Sequence, residues 1–299
     1  MKNYIKALRA PFLGGSLVPV IIGTCYGVVE GHFLFIPFLI TLIGVGGLHL
    51  AANILNDYYD AKGSDPVNIR LTPFSGGSRV IQDGEVKPAA MLAMSIFFFI
   101  IGLAAGIWLI FNDRPLVLLF GALGFFAGWS YSSPPLQFMS KGWGELVIFI
   151  AFGPLVTLGS YYVMAGSLSL GAFALGIPQG FLITGVIWIN QFPDYQADKE
   201  AGKKNLVVRL GLSFSRYLYC LIMIMSFISI ILLVRPGGFH YLIMLAFISF
   251  PLALKAMIIT WKEYLLFERL IPAQALTIQT VIGQGILLSI SLLVIRLIQ

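Results

Sequence analysis

About nine stretches of roughly twenty apolar residues each, joined by polar connections, leave this chain few structures to adopt. In hydrocarbon every backbone N–H and C=O must be paired within a helix or around a closed barrel. The runs are apolar on every face and lack the alternating pattern of a barrel strand, so helices are expected. They fall near 11–30, 34–56, 89–111, 115–133, 145–164, 169–192, 213–234, 238–258 and 273–296. Hydrophobic residues make up 58% of the 299 and charged residues only 11%, so the bilayer must serve as solvent. The expected architecture is all-α: a polytopic membrane protein with about nine transmembrane helices around a central cavity, capped by loops on one face.

The basic start, with Lys2, Lys6 and Arg9, is like the opening of a signal peptide. No small-residue cleavage site follows, and the apolar stretch is long enough to remain as the first helix. Cys25 and Cys220 sit in apolar stretches without metal-ligand spacing and read as small hydrophobes. The net charge of +6 is explained by topology rather than by nucleic acid. With an odd number of spans, the N-terminus shares a side with the loops after spans 2, 4, 6 and 8. That side holds sixteen of the 19 Lys and Arg residues, leaving Arg114, Arg235 and Arg296 opposite. By the positive-inside rule the richer side is cytoplasmic, in the inner membrane of the cell. Eleven of the 13 acidic residues lie there as well.

Two acidic clusters stand out on that side. Asn53, Asn56, Asp57 and Asp60 follow i, i+3, i+4, i+7, and Asn190, Asp194 and Asp198 follow i, i+4, i+8. Each set projects from one face of a helix. Carboxylates this close to lipid are costly and mark function by default. If Asp57, Asp60, Asp194 and Asp198 converge, each like-charged pair at about 4 Å costs on the order of 4 kcal/mol at an effective dielectric near 20. An anionic phosphate would worsen this, whereas Mg²⁺ would reverse it by bridging carboxylate to phosphate. Asn53, Asn56 and Asn190 add oxygens or amide hydrogen bonds without adding charge. The competing reading, ordinary wet helix ends, fits one such aspartate better than two one-faced clusters.

The loop over about 61–88 is too long for a simple connector and is expected to cap the site. Its Pro73–Arg79 stretch contains Gly76 and Gly77, which would let backbone N–H groups approach an anion. Lys203 and Lys204 follow the second cluster and could neutralise phosphate oxygens or simply face water. Pro134 and Pro135 break the fourth span after Tyr131, and Lys141 can reach back to the rim. His49 lies four residues before Asn53 on the same face, either contacting an aromatic substrate, moving a proton or packing helices. Pro154, Pro178, Pro193 and Pro251 are expected to kink helices.

At these residues the chain resembles the UbiA superfamily of intramembrane prenyltransferases. The resemblance rests on Asn56-Asp57-x-x-Asp60 after span 2, Tyr131-Ser-x-Pro134-Pro135 after span 4 and Asp194-x-x-x-Asp198 after span 6, and it extends over nearly the whole chain. The stretches Leu17–Thr24, Asn56–Asp65, Phe152–Tyr161 and Gly202–Gly211 look most like the branch that prenylates 1,4-dihydroxy-2-naphthoate in menaquinone synthesis. The next acid after Asp60 is Asp65, five residues on where four is usual, which sets Asp65 apart as a ligand.

The resemblance implies a single prenyltransferase domain over 1–299 and Mg²⁺-dependent transfer of a polyprenyl group from its diphosphate to an aromatic acceptor. Asp57, Asp60, Asp194 and Asp198 are then the catalytic and metal-binding candidates, with Asn56 a further ligand. Asn53, Asn56, Arg79, Lys141, Lys203 and Lys204 are the diphosphate candidates, and His49, Tyr131 and Asn190 those for the acceptor. If that acceptor is dihydroxynaphthoate, the resemblance implies loss of its carboxylate and formation of demethylmenaquinone. The partners expected are polyprenyl diphosphate, the aromatic acceptor and the bilayer, with neither nucleic acid nor an obligate protein partner. Other acceptors (4-hydroxybenzoate, homogentisate, a haem precursor or a glycerol phosphate ether) keep the same chemistry. A transporter is the rival from another class, but transport sites usually lie at the bilayer midplane, not at helix ends beside polar loops.

Overall fold

The computed structural model describes residues 2–299. Among the described residues, nine apolar helical segments follow a short N-terminal helix, Lys2–Leu8. They are α1 (Gly14–Val29), α2 (Phe35–Asp60), α3 (Pro88–Phe111), α4 (Val117–Ser132), α5 (Gly144–Ala165), α6 (Leu170–Glu200), α7 (Leu212–Val234), α8 (Tyr241–Glu263) and α9 (Phe267–Ile298). There are no strands among the described residues. Eight stretches are long and apolar enough to cross a bilayer, the first of them running from Asn3 through α1 to Val29, and α4, at 16 residues, falls short. The chain is an integral, multi-pass membrane protein.

Two helices outrun their hydropathy. α2 continues to Asp60 and α6 to Glu200, so both carry their acidic residues on unbroken helical turns. Pro178 and Pro193 lie within α6 without ending it. Pro154 falls in a π-helical segment of α5 (Ala151–Leu155), and Pro251 opens the α-helical part of α8 after a 3₁₀ stretch. Ser169 caps α6 by accepting from the Ala172 amide.

Packing is inside-out relative to a soluble protein. Large apolar side chains such as Phe111, Leu170 and Leu297 face outward, while polar side chains are sorted inward. Gln284 joins α9 to Gln179 of α6 and Ser226 of α7, and Thr277 meets Tyr219 at 2.6 Å. Lipid offers no hydrophobic push between helices, so these bonds and close backbone approach do the joining. α6 is the hub: 72% of its apolar window is buried, against 17% for α3.

The tightest approach joins α5 to α6. A Cβ on Gly153 would stand 2.6 Å from both the Gly176 carbonyl oxygen and the Gly180 Cα. The contact holds two walls of the cavity described below. Gly153→Ala is therefore expected to destabilise the protein by about 1–3 kcal/mol through overpacking. A melting temperature in detergent equal to that of the parent would contradict this account of the α5–α6 contact.

Candidate active site

A cavity of about 310 Å³ runs between α1, α2, α3, α4, α5, α6 and α9. One end is lined by Asn53, Asn56, Asp60, Asp65, Asp194, Asp198 and Lys203, and the other by apolar residues such as Leu109, Val117, Phe120 and Val163. On α2 alone the lining runs from Ile40 to Asp60, about 30 Å at 1.5 Å per residue. A charged mouth thus opens into a long apolar passage.

The two acidic helix tips meet at this mouth. Lys203 Nζ lies 2.9 Å from Asp60 and 3.2 Å from Asp198, so one ammonium joins the end of α2 to the end of α6. Burial alone would lower the Lys203 pKa, yet the two carboxylates raise it well above the ordinary lysine value. Asn56 donates to Asp60 at 3.1 Å and to Ser132 at 3.2 Å, and Asn205 donates to Asp198 at 2.8 Å.

The loop between α2 and α3 closes over both tips. Asn68 donates to Asp194 at 2.7 Å, the Gly76 amide to its other oxygen at 3.4 Å, and the Ser78 amide to Asp57 at 3.0 Å. Gly77 has φ 70° and a Cβ there would fall 2.6 Å from Asp65 Oδ2, so glycine is needed for both reasons. Asp65 itself accepts from Gln82 at 3.1 Å. Burial first, then the charges of Asp60 and Asp57, push its carboxyl group up to about 8.

Not every residue proposed from sequence reaches the cavity. Asp57 lies just behind the lining, 3.6 Å from Arg9, with one oxygen buried and lacking a hydrogen bond. Arg79 also stands behind it, in a left-handed backbone conformation, donating to the Asp65 carbonyl. Lys141 turns outward and donates to the Pro135 carbonyl at 2.6 Å. Lys204 is kept out by its backbone, whose amide donates to Ser140 at 2.7 Å while its carbonyl accepts from Arg209. That anchoring leaves the neighbouring Lys203 aimed inward.

His49, Tyr131 and Asn190 all line the cavity. His49 Nδ1 pairs with the Ser16 hydroxyl, its ring stands edge-on to Phe152 at 5.3 Å, and its Nε2 is buried without a partner. Asn190 accepts from Gln274 at 3.0 Å. Four contributors escaped the sequence reading: Arg9, Asn68, Asn205 and Gln191. Arg9 was counted only in the charge bias, and Asn68 lies in a loop without periodicity. Asn205 belongs to the Gly202–Gly211 stretch, where its place between two lysines and an apolar run, as the cap of the short helix Leu206–Leu210, is the available signal.

Around the mouth, Asp57, Asp60, Asp65, Asp194 and Asp198 face two cations, Lys203 and Arg9. Five acids against two bases leave the site rich in hard oxygen and short of positive charge. Among the described residues no three acidic, His or Cys side chains close on one point; the carboxylates ring the cavity instead. The all-oxygen donor set and the excess of carboxylates over cations suit a hard divalent cation.

A model of the UbiA prenyltransferase family matches residues 16–265. The chain is 33% identical over 225 residues to the 1,4-dihydroxy-2-naphthoate octaprenyltransferase of Escherichia coli (strain K12), covering 74% of this chain and 72% of the relative. It is 26% identical to the Bacillus subtilis (strain 168) protein of the same name over 96% and 90% of the two chains. The fold is similar to that of a UbiA homologue from Archaeoglobus fulgidus bound to GPP and Mg²⁺, with TM-score 0.63, 16% identity, and coverage of 96% and 99%.

Removing the ammonium at the mouth leaves Asp60 and Asp198 facing each other uncompensated. Lys203→Met is expected to destabilise the protein by about 3 kcal/mol in EDTA. Added Mg²⁺ should restore much of the lost melting temperature, more than it adds to the parent. Equal Mg²⁺ responses in parent and variant would separate Lys203 from the carboxylate cluster.

Proposed function

We propose, on the premise that the chain belongs to the UbiA prenyltransferase family and is an enzyme transferring prenyl groups, that it joins a polyprenyl chain to 1,4-dihydroxy-2-naphthoate, with release of diphosphate from the donor and of the ring carboxylate as CO₂, and so forms demethylmenaquinone in its reduced, hydroquinone form. The observation that carries this reading is the pair of facing aspartate tips at the mouth of a long apolar passage. The diphosphate end of the donor belongs at the mouth and its isoprenoid chain in the passage. The similarity to two dihydroxynaphthoate octaprenyltransferases supports the choice of acceptor.

Asp60, Asp194 and Asp198, with Asn56, would hold Mg²⁺, and Asp57, behind the lining, would join them on giving up its pair with Arg9. When bound, the metal neutralises the diphosphate and eases its departure. Lys203 supplies a fixed ammonium at the same place, and Asn53, whose amide nitrogen is buried without a partner, supplies a donor for a phosphate oxygen. Ser78 and Asn68 keep the carboxylates oriented. The apolar walls exclude water from the allylic carbon as positive charge grows there, so the ring carbon of the acceptor attacks instead. His49, Tyr131 and Asn190 border the space for that ring. The steep bias of basic residues supports a cytoplasmic mouth and N-terminus.

Asp60→Asn and Asp194→Asn should each lower kcat/KM by about 100-fold or more, the scale of losing one preorganised charge-stabilising group. Purified protein supplied with labelled prenyl diphosphate should prenylate dihydroxynaphthoate in Mg²⁺ and stop in EDTA. Undiminished product in EDTA would end the metal reading. A clear preference for 4-hydroxybenzoate or homogentisate in a panel of acceptors would replace the acceptor.

A further inference from the structure

We propose that Gln191, its amide fixed by the buried carboxyl group of Glu145, selects the acceptor by taking a hydrogen bond from a ring hydroxyl onto its side-chain carbonyl oxygen. The inference rests on the reading of the cavity as a site for prenyl transfer to a hydroxylated ring.

Gln191 lies on α6 and lines the cavity while being only 8% exposed. Its Nε2 donates to Glu145 Oε1 at 3.0 Å, and its Oε1 is buried with no donor. Glu145, in the first turn of α5, is 4% exposed and makes no ion pair among the described residues. The same Oε1 also accepts from the Leu206 amide at 3.4 Å. Turning the Gln191 amide over would set its oxygen against an oxygen already serving as acceptor. The glutamine therefore has one stable orientation, with its nitrogen committed and its carbonyl left over.

A buried carbonyl without a donor costs about 1–3 kcal/mol. The protein supplies none, although the neighbouring Asn190 has its oxygen satisfied by Gln274. The donor substrate cannot supply one either: an ionised diphosphate only accepts hydrogen bonds, and an isoprenoid chain does neither. Among the reactants that leaves the ring hydroxyl. The position suits it. Gln191 precedes Asp194 by three residues, so it lies about 4.5 Å deeper along α6, beside where the reacting carbon would enter the passage. The amide recognises the hydroxyl and does not take its proton. Glu145 is a positioning residue acting through Gln191.

The test compares dihydroxynaphthoate with its two mono-O-methyl ethers, using full-length protein in lipid nanodiscs with Mg²⁺ and a prenyl diphosphate. In the parent enzyme one of the ethers should raise the acceptor KM by about 10- to 100-fold, the factor for one buried group left unpaired. The KM for prenyl diphosphate should not change. Gln191→Leu should lose a similar factor on the free dihydroxy acceptor and no longer distinguish it from that ether. Glu145→Gln, which can turn and donate, should raise the acceptor KM while sparing the diphosphate KM; a merely structural role would disturb both. Retention of the hydroxyl preference by Gln191→Leu would overturn the proposal. So would a parent enzyme that uses both ethers as readily as the dihydroxy compound, a result independent of how any variant folds. A parent enzyme that prenylates no hydroxylated ring would overturn the proposed function itself, and this inference with it.

Discussion

Repulsion among buried carboxylates governs the mouth of the cavity. Asp60 and Asp198 approach one ammonium from opposite helices, and Lys203 between them offsets the repulsion that works to part the ends of α2 and α6. Water would screen such a cluster, but here the helices and the loop above exclude most of it. Every other contact at the mouth serves the same end. Asn68, Asn205, Gly76 and Ser78 each present an N–H to a carboxylate oxygen, spreading negative charge over donors that add none.

Below the mouth the same sorting of polarity builds the membrane domain. Side chains that can hydrogen-bond are gathered between α6, α7 and α9, and bulky hydrocarbons are left to lipid. The passage is the exception. Its walls are apolar, yet they face inward, because the occupant is itself a hydrocarbon chain in the proposed reaction. An interior lined this way excludes water without filling itself with side chains. Glycines such as Gly153 and Gly176 let the walls meet where no lumen is needed.

Much of this was legible in the sequence. Apolar runs mark the helices, and spacings of three and four residues set the aspartates on one face of each helix. Hydropathy falls at residues 56 and 192, while hydrogen bonding carries α2 and α6 on to Asp60 and Glu200, so the apolar spans end before the helices do and the periodic spacing of the acids marks the remainder. Hydropathy measures contact with lipid, and a helical tip that binds polar neighbours has no need of it. Choosing between Lys203 and Lys204 was beyond composition, because adjacent residues differ only in direction. The pinning of the Lys204 backbone by Ser140 and Arg209 decides that direction. Gln191 went unnoticed since its partner, Glu145, lies 46 residues away on another helix.

The loop over α2 and α6 holds itself down with the very oxygens a cation needs. Asp194 has both oxygens engaged by Asn68 and Gly76, and Asp57 is tied to Ser78. A carboxylate oxygen carries two lone pairs, so an amide and a cation can share it. The roof is thus aligned by the same aspartates that would grip the ionic cargo, and cover and floor keep one register without a separate hinge.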